Sequence, residues 1–206
     1  MPCSESNPDK TSYHHLHTWE HEVYIIKGSG TLVSDGENYP VKEGDAILIP
    51  GEVDHYTLND GGQGVIRRIE INPLVAAQTG GTRPGGEVGI GQPPMIRNYQ
   101  DLNDGTGSRI IGSKDGAPTY LMLYNGAMAP GAVSHQESGG HIHPWEHVVF
   151  ILEGHATIMC EGTEYPVAEG DGILVPPNTF HQWRNTSDQP MTRVTFNPLA
   201  SEEAEH

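Results

Sequence analysis

Three histidines close together define the chemistry open to this chain. His141-Ile-His143-Pro-Trp-Glu-His147 is followed by the β-branched and aromatic run Val148-Val-Phe-Ile-Leu152 and by Glu153-Gly154. On an extended strand, residues two apart project to the same side, so His141 and His143 can reach one metal ion. Pro144 argues against a helix here, and the order differs from the His-Glu-x-x-His zinc motif. A fourth histidine, His181, follows Gly170-Asp171 and the turn Pro176-Pro-Asn-Thr179. Neutral imidazoles suit a borderline transition metal, whereas magnesium and calcium prefer oxygen. Around a six-coordinate ion such a set leaves two positions open. The ion keeps its full double charge, which favours a bidentate anion such as an enolate or catecholate. A redox-active ion would permit dioxygen chemistry, and zinc would restrict the site to acid catalysis. The competing reading is a metal that only cross-links the fold, since a closed structural site also uses four ligands.

The same set stands earlier in the chain as His15, His17, His21 and His55, and 141−15, 143−17, 147−21 and 181−55 all equal 126. Trp19 with Trp145, Gly28 with Gly154 and Tyr39-Pro-Val with Tyr165-Pro-Val share that offset, while Ile71-Asn-Pro-Leu and Phe196-Asn-Pro-Leu differ by 125. A repeat at fixed spacing marks two copies of one structural unit.

The elements that must position these residues read as short strands. Each copy alternates apolar runs with turns such as Asp35-Gly36 and Gly44-Asp45, at the rhythm of antiparallel sandwiches and barrels. The 26 glycines and 16 prolines agree with an all-β fold. Residues 1–12 are polar and read as a loose end, and 78–104 reads as a Gly/Pro-rich linker between domains at 1–77 and 105–206. The second copy has strand candidates at 109–112 and 119–124 before its first histidine, and subtracting 126 from these gives negative numbers. The first copy is therefore expected to lack its N-terminal strands. Either strands from elsewhere complete it or the sequence lacks its true start. Bare sheet edges must be paired or covered. The expectation is two copies packed face to face about a pseudo-twofold axis, with part of 109–124 or a second chain of a homodimer closing the first barrel.

Acidic residues number 27 against 11 basic, and the net charge of −16 disfavours nucleic acid and anionic membrane as partners. No apolar run approaches the roughly 20 residues of a membrane span, and the amino end has no signal-peptide core, so a soluble cytoplasmic protein is expected. Cys3 and Cys160 cannot form a disulfide framework or a cysteine-rich zinc site, and Cys160 reads as a small buried hydrophobe.

The pattern His-x-His-x-x-x-His with a later glycine, then Gly-Asp…Pro-x-x-x-x-His-x-x-x-Asn, resembles the two motifs of the cupin superfamily. His15, His17, His21, Gly28, Gly44, Asp45, Pro50, His55 and Asn59 carry them once, and His141, His143, His147, Gly154, Gly170, Asp171, Pro176, His181 and Asn185 again. Glu52 and Asn178 stand where the second motif usually has glycine. A histidine at the usual glutamate position resembles the four-histidine subgroup. The resemblance implies a bicupin: two double-stranded β-helix (jelly-roll) barrels, each holding one divalent metal, manganese, iron, nickel, copper or zinc.

The expected function is a metal-dependent oxidoreductase of the dioxygenase type acting on a small enolic or aromatic metabolite. The alternatives are a non-redox isomerase, lyase or cyclase, and a non-catalytic metal or small-ligand binder. Trp183, two residues past His181, should face the second site, and Tyr120, Met122 and Tyr124 share a strand face that could line a pocket or be ordinary core. These four make the second site the better catalytic candidate. Trp19 and Trp145 shape the pocket mouth or pack on the ligand loop. Glu20, Glu22 and Glu146 are candidates for a general base or for orienting imidazoles. His14, His135, His155 and His206 read as solvated.

Overall fold

The computed structural model describes residues 3–62, 64–74, 83–85, 91–102 and 108–204, and the chain divides into two compact units, Met1–Asp101 and Leu102–His206. In the first unit, β1 (Cys3–Ser6), β3 (His21–Lys27), β6 (Asp45–Ile49), β8 (Ile66–Ile71) and β10 (Met95–Asn98) form one sheet in the order β1-β8-β3-β6-β10. The facing sheet has the order β5-β4-β7-β2-β9, from β2 (His15–Leu16), β4 (Ser29–Ser34), β5 (Glu37–Lys42), β7 (His55–Leu58) and β9 (Arg83–Pro84).

The second unit repeats this frame. Its sheets are β11-β12-β18-β13-β16 and β15-β14-β17, built from β11 (Ser108–Ile111), β12 (Tyr120–Met128), β13 (His147–Glu153), β14 (His155–Cys160), β15 (Thr163–Ala168), β16 (Gly172–Val175), β17 (His181–Arg184) and β18 (Met191–Pro198). A short helix, α1 (Ser201–Ala204), follows. The architecture is the pair of all-β barrels that the resemblance implied. Among the described residues no helix is long and apolar enough to cross a membrane.

Strand alternation builds both cores in the same way. Val23, Ile25, Leu32, Val41, Ile47, Ile49 and Ile66 fill the first, and Val149, Ile151, Ile158, Val167, Ile173, Val175 and Met191 occupy the matching positions of the second. Burial of each such side chain contributes roughly 1.5–3 kcal/mol. Cys160, expected to be a buried hydrophobe, packs against the edge of the second core but is only half-buried. The repeat also extends to strained backbone: Asp35 and Glu161, and Glu52 and Asn178, all have φ between 47° and 60°. The last pair occupies the position where glycine is usual, so the turn keeps its left-handed conformation without it. At Gly28 and Gly154 the requirement is stricter, because φ is 90° and 80° and an added Cβ would meet the Val65 or Pro190 carbonyl.

The ends of the repeat differ from the sequence-based expectations. The first copy does have an N-terminal strand: β1 pairs with β8 as β12 pairs with β18. Asn59 Nδ2 donates to the Ser6 carbonyl (2.7 Å), and its counterpart Asn185 donates to Met128 (2.8 Å). Ser6 thus matches the end of β12, an offset of 122 (128−6), and the fixed offset of 126 concealed it. No counterpart of β11 occurs among the described residues. Nor is 78–104 only a linker, since β9 pairs with β2 and β10 with β6. β11 and β12 stay in the second unit, so they do not close the first. Residues 78–82, 86–90 and 103–104 of that stretch lie outside the described residues.

β10 is anchored by its last residue. Asn98 Nδ2 donates to Asp45 Oδ1 (2.7 Å) and to the Glu43 carbonyl (3.0 Å), and its Oδ1 accepts from Gln100 N–H (3.0 Å). On β16, which corresponds to β6, no strand lies on the matching side among the described residues, and Leu174 is 64% exposed. Asn98→Asp would replace two donors by a carboxylate facing a carboxylate. It should cost about 2–4 kcal/mol, read as a lower urea midpoint with an unchanged slope.

Candidate metal centres

In each unit four histidines converge: His15, His17, His21 and His55, and His141, His143, His147 and His181, with the candidate donor atoms of each group within 4.8 Å of one another. The strands explain the convergence. His21 and His147 open β3 and β13, His55 and His181 open β7 and β17, and His15 and His141 lie across from His55 and His181. His17 and His143 lie in the connection that follows.

The hydrogen bonds fix which ring nitrogen points inward. Nδ1 of His15 faces the Tyr13 carbonyl (2.8 Å), that of His17 the Trp19 carbonyl (2.6 Å) and that of His55 the Val53 carbonyl (2.8 Å). In the second unit, Nδ1 of His143 faces the Trp145 carbonyl (2.7 Å) and that of His181 the Thr179 carbonyl (2.9 Å). A carbonyl can only accept, so these Nδ1 atoms carry the proton and Nε2 keeps its lone pair. His21 and His147 are held in the same sense by the side-chain oxygens of Asn72 and Asn197.

Nε2 of His17 and His21 then lie 2.6 Å apart, and those of His143 and His147 2.8 Å apart. Two lone pairs at that distance repel unless a cation lies between them. Nε2 of His55 and of His181 is buried with no hydrogen-bond partner. Orphaned, convergent, neutral nitrogens fit a transition metal ion, and these eight residues are the ones that would hold one in each unit.

Burial keeps six of the eight rings neutral. It lowers His21, His55 and His141 to about 3, and His17 and His147 to about 4. It also lowers His181.

The surroundings of the two centres differ. In the first, Arg68 donates to Thr57 Oγ1 (2.5 Å) and pairs with Glu70 (3.7 Å), and Glu70 lies 3.4 Å from His21 Nδ1. The free space is only about 10 Å³, room for roughly one water. The second centre opens into a cavity of about 370 Å³, lined by Leu123, Asn125, Trp145, Val149, Trp183 and Arg193 among others.

Trp183 therefore lines the cavity as its parity with His181 predicted. Tyr120, Met122 and Tyr124 do not, which corrects that expectation: Leu123 and Asn125, on the opposite face of β12, look inward, and Met122 is fully buried on the other side. The sequence identified a strand with two different faces but not which face turns inward.

Trp19 and Trp145 stack on His17 and His143 at 4.3 and 4.4 Å with 4° between planes, so both pack on the ligand loops, and Trp145 also lines the second cavity. Glu20, Glu22 and Glu146 line neither space. Burial and Glu20 push the Glu22 carboxyl well above its usual range. Carbonyls, Asn72 and Asn197 orient the imidazoles instead. Those two asparagines were visible as the repeated Asn-Pro-Leu but carried no assigned role. His135 was read as solvated. It is exposed, yet its ring lies 4.0 Å from His141, at the rim of the cavity. His14 bonds Asp54 at 2.7 Å, His155 is exposed on β14, and His206 lies outside the described residues.

Two stretches of the sequence, 4–69 and 127–196, match the family model described as the cupin domain. The chain belongs to the cupin family. One match falls in each unit, which makes it a bicupin. Among curated proteins, the polyketide synthase CurC of Streptomyces cyaneus is 32% identical over 63 residues, 29% of this chain and 40% of the relative. The uncharacterized protein MJ1618 of Methanocaldococcus jannaschii is 40% identical over 52 residues, 25% of this chain and 42% of the relative. The chain thus spans about two fifths of the length of the curated relatives it matches. Among solved structures, AerE from Microcystis aeruginosa superposes with a TM-score of 0.69 at 15% identity, covering 96% of this bicupin and 86% of that chain. A salicylate 1,2-dioxygenase from Pseudaminobacter salicylatoxidans superposes with 0.72 at 16% identity, covering 98% and 71%. At such identities the likeness is one of fold.

The lowered histidines make the metal-free protein acid-sensitive. Above pH 6.5 these groups are neutral folded or unfolded and contribute nothing to the pH dependence. As pH falls from 6.5 towards 3–4, the unfolded chain takes up protons that the native sites refuse, so stability is lost. For the deeply buried His21 and His55 the loss is up to about 1.4 kcal/mol per pH unit each. Thermal melts of chelator-treated protein should show a midpoint that drops across that window, and the drop should be shallower in His21→Gln.

Proposed function

We propose that this bicupin is a metal-dependent oxidoreductase of the dioxygenase type, acting on a small enolic or aromatic metabolite in the cavity of the second unit. The observation that carries the reading is the convergence of four neutral imidazoles on a 370 Å³ cavity with aromatic walls. That volume suits a single small molecule. The protein that shares the fold is named a salicylate 1,2-dioxygenase, and several of its structures contain gentisate. These points support the reading by likeness of fold and chemistry.

The chain's own residues divide the work. His141, His143, His147 and His181 would hold the ion, and the acceptors behind His143, His147 and His181 keep their tautomers fixed. Trp145 and Trp183, with Leu123 and Val149, exclude water and face a flat apolar substrate. When bound, the ion supplies Lewis acidity and, if redox-active, electron transfer with dioxygen. Among the described residues no carboxylate lines the cavity. An isomerase, lyase or cyclase built around a carboxylate base therefore finds less support. His135 at the rim is placed to accept or return a proton. The first site, with space for about one water, is read as a metal site that braces its barrel.

Metal analysis of protein purified without added metal tests this directly. Iron, manganese or copper is expected at close to two ions per chain, and zinc alone would overturn the redox reading. Dioxygen uptake with a panel of hydroxylated aromatic and enolic acids should be abolished by His147→Ala and largely kept in folded His21→Ala. The reverse ranking would move the active site to the first unit. Asn197→Ala should weaken metal retention at the second site roughly 10–100-fold, measured by competition with a chelator.

A further inference from the structure

The repeat supplies an internal comparison at one position beside each centre. Arg68 on β8 and Arg193 on β18 correspond at the offset of 125 that relates these two strands. Arg68 is satisfied twice, by Thr57 Oγ1 at 2.5 Å and by Glu70 at 3.7 Å. In the second unit both partners are replaced: Trp183 stands for Thr57, and Thr195 for Glu70.

The guanidinium of Arg193 lies over the Trp183 ring, 4.8 Å from its centroid, and its Nε is buried without a hydrogen-bond partner. Thr195 Oγ1 is committed to Asn125 Oδ1 at 2.6 Å. Arg193, Thr195 and Asn197 alternate along β18 and all line the cavity, so the guanidinium shares the chamber with the His147 that Asn197 orients. Burial alone lowers its pKa to about 10, which leaves it charged at neutral pH, and its field reaches His147 and His181. Keeping a charge out of water is costly unless it is paired. The first unit offsets that cost within the protein, with Glu70.

We propose that Arg193 is the specificity-determining residue of the second cavity and receives the carboxylate of a small aromatic or enolic acid whose ring packs against Trp183 and Leu123. The fork of N–H donors suits a carboxylate. Trp183 holds the guanidinium by cation–π contact without neutralising it. The incoming anion takes the place that Glu70 holds in the first unit. The assignment rests on the reading that the second cavity is the substrate site, and it narrows the substrate class from enolic or aromatic molecules to acids.

Binding, measured by calorimetry and by quenching of tryptophan fluorescence on metal-loaded protein at about 0.15 M salt, tests it apart from turnover. The probes are salicylate, oxalate and phenol, the last being the salicylate ring without its carboxylate. Arg193→Met should weaken salicylate and oxalate about 10–100-fold and leave phenol unchanged, and Arg193→Lys should recover part of the loss. Thr195→Glu restores the carboxylate of the first unit beside an intact arginine, and should weaken the two acids in the same way.

Unchanged salicylate affinity in Arg193→Met overturns the assignment, as does equal loss of salicylate and phenol in both Arg193→Met and Thr195→Glu. Failure of the wild-type protein to bind either acid in the millimolar range also overturns it. Arginine-dependent binding without dioxygen uptake on any substrate would sink the oxidoreductase reading and leave this assignment standing. Uptake that Arg193→Met does not alter would do the opposite.

Discussion

The rest of each barrel is arranged around an electrostatic conflict: lone pairs of neutral imidazoles held 2.6 to 2.8 Å apart in a desolvated setting. Nothing about the histidines themselves brings them there. Strand starts and the connections after them place the rings, and carbonyls or asparagine oxygens behind all but His141 pin the protons on the outer nitrogens. The cores on which those strands rest match position for position in the two units. The fold is thus a device for making a repulsive donor set rigid, which is what gives a metal ion both a place and a geometry.

Two barrels with the same donor set need not do the same work. The first is sealed by its own ion pair, and the second is walled by a tryptophan and by the inward face of β12. The difference lies in few residues, mainly Thr57 against Trp183 and Glu70 against Thr195. None of these touches the fold-defining pattern of glycines, prolines and alternating apolar positions. The frame therefore persists while the chemistry beside each centre diverges.

The parts of the structure that follow from periodicity were legible in the sequence. A constant offset of 126 gave both units and both histidine sets, and the position of Trp183 followed from strand parity with His181. Features that break the periodicity were not. β1 matches β12 at an offset of 122, and β10 is a short strand in a stretch dense in glycine and proline, so neither could be found by copying the repeat. Parity within β12 left two faces open, and only the pairing of that strand with β18 chose Leu123 and Asn125 over Tyr120, Met122 and Tyr124. The role of Asn72 and Asn197 was hidden for another reason: a neutral amide next to a proline looks like a turn residue until the ring it supports is seen.

One asymmetry described above also bears on how the chain behaves in solution. β6 is flanked by β10, whereas among the described residues no strand pairs with one side of β16, and Leu174 is exposed there. An open apolar strand edge is a template for joining sheets of neighbouring molecules. This one is only four residues long, and Glu161, Glu164, Glu169 and Asp171 are exposed close to it in sequence. The acidic excess of the chain is thus concentrated in part where self-association would begin. Repulsion between like-charged edges keeps molecules apart, and it fades when salt screens the carboxylates or acid protonates them. The solution conditions that weaken this barrier are therefore the ones in which the edge becomes adhesive.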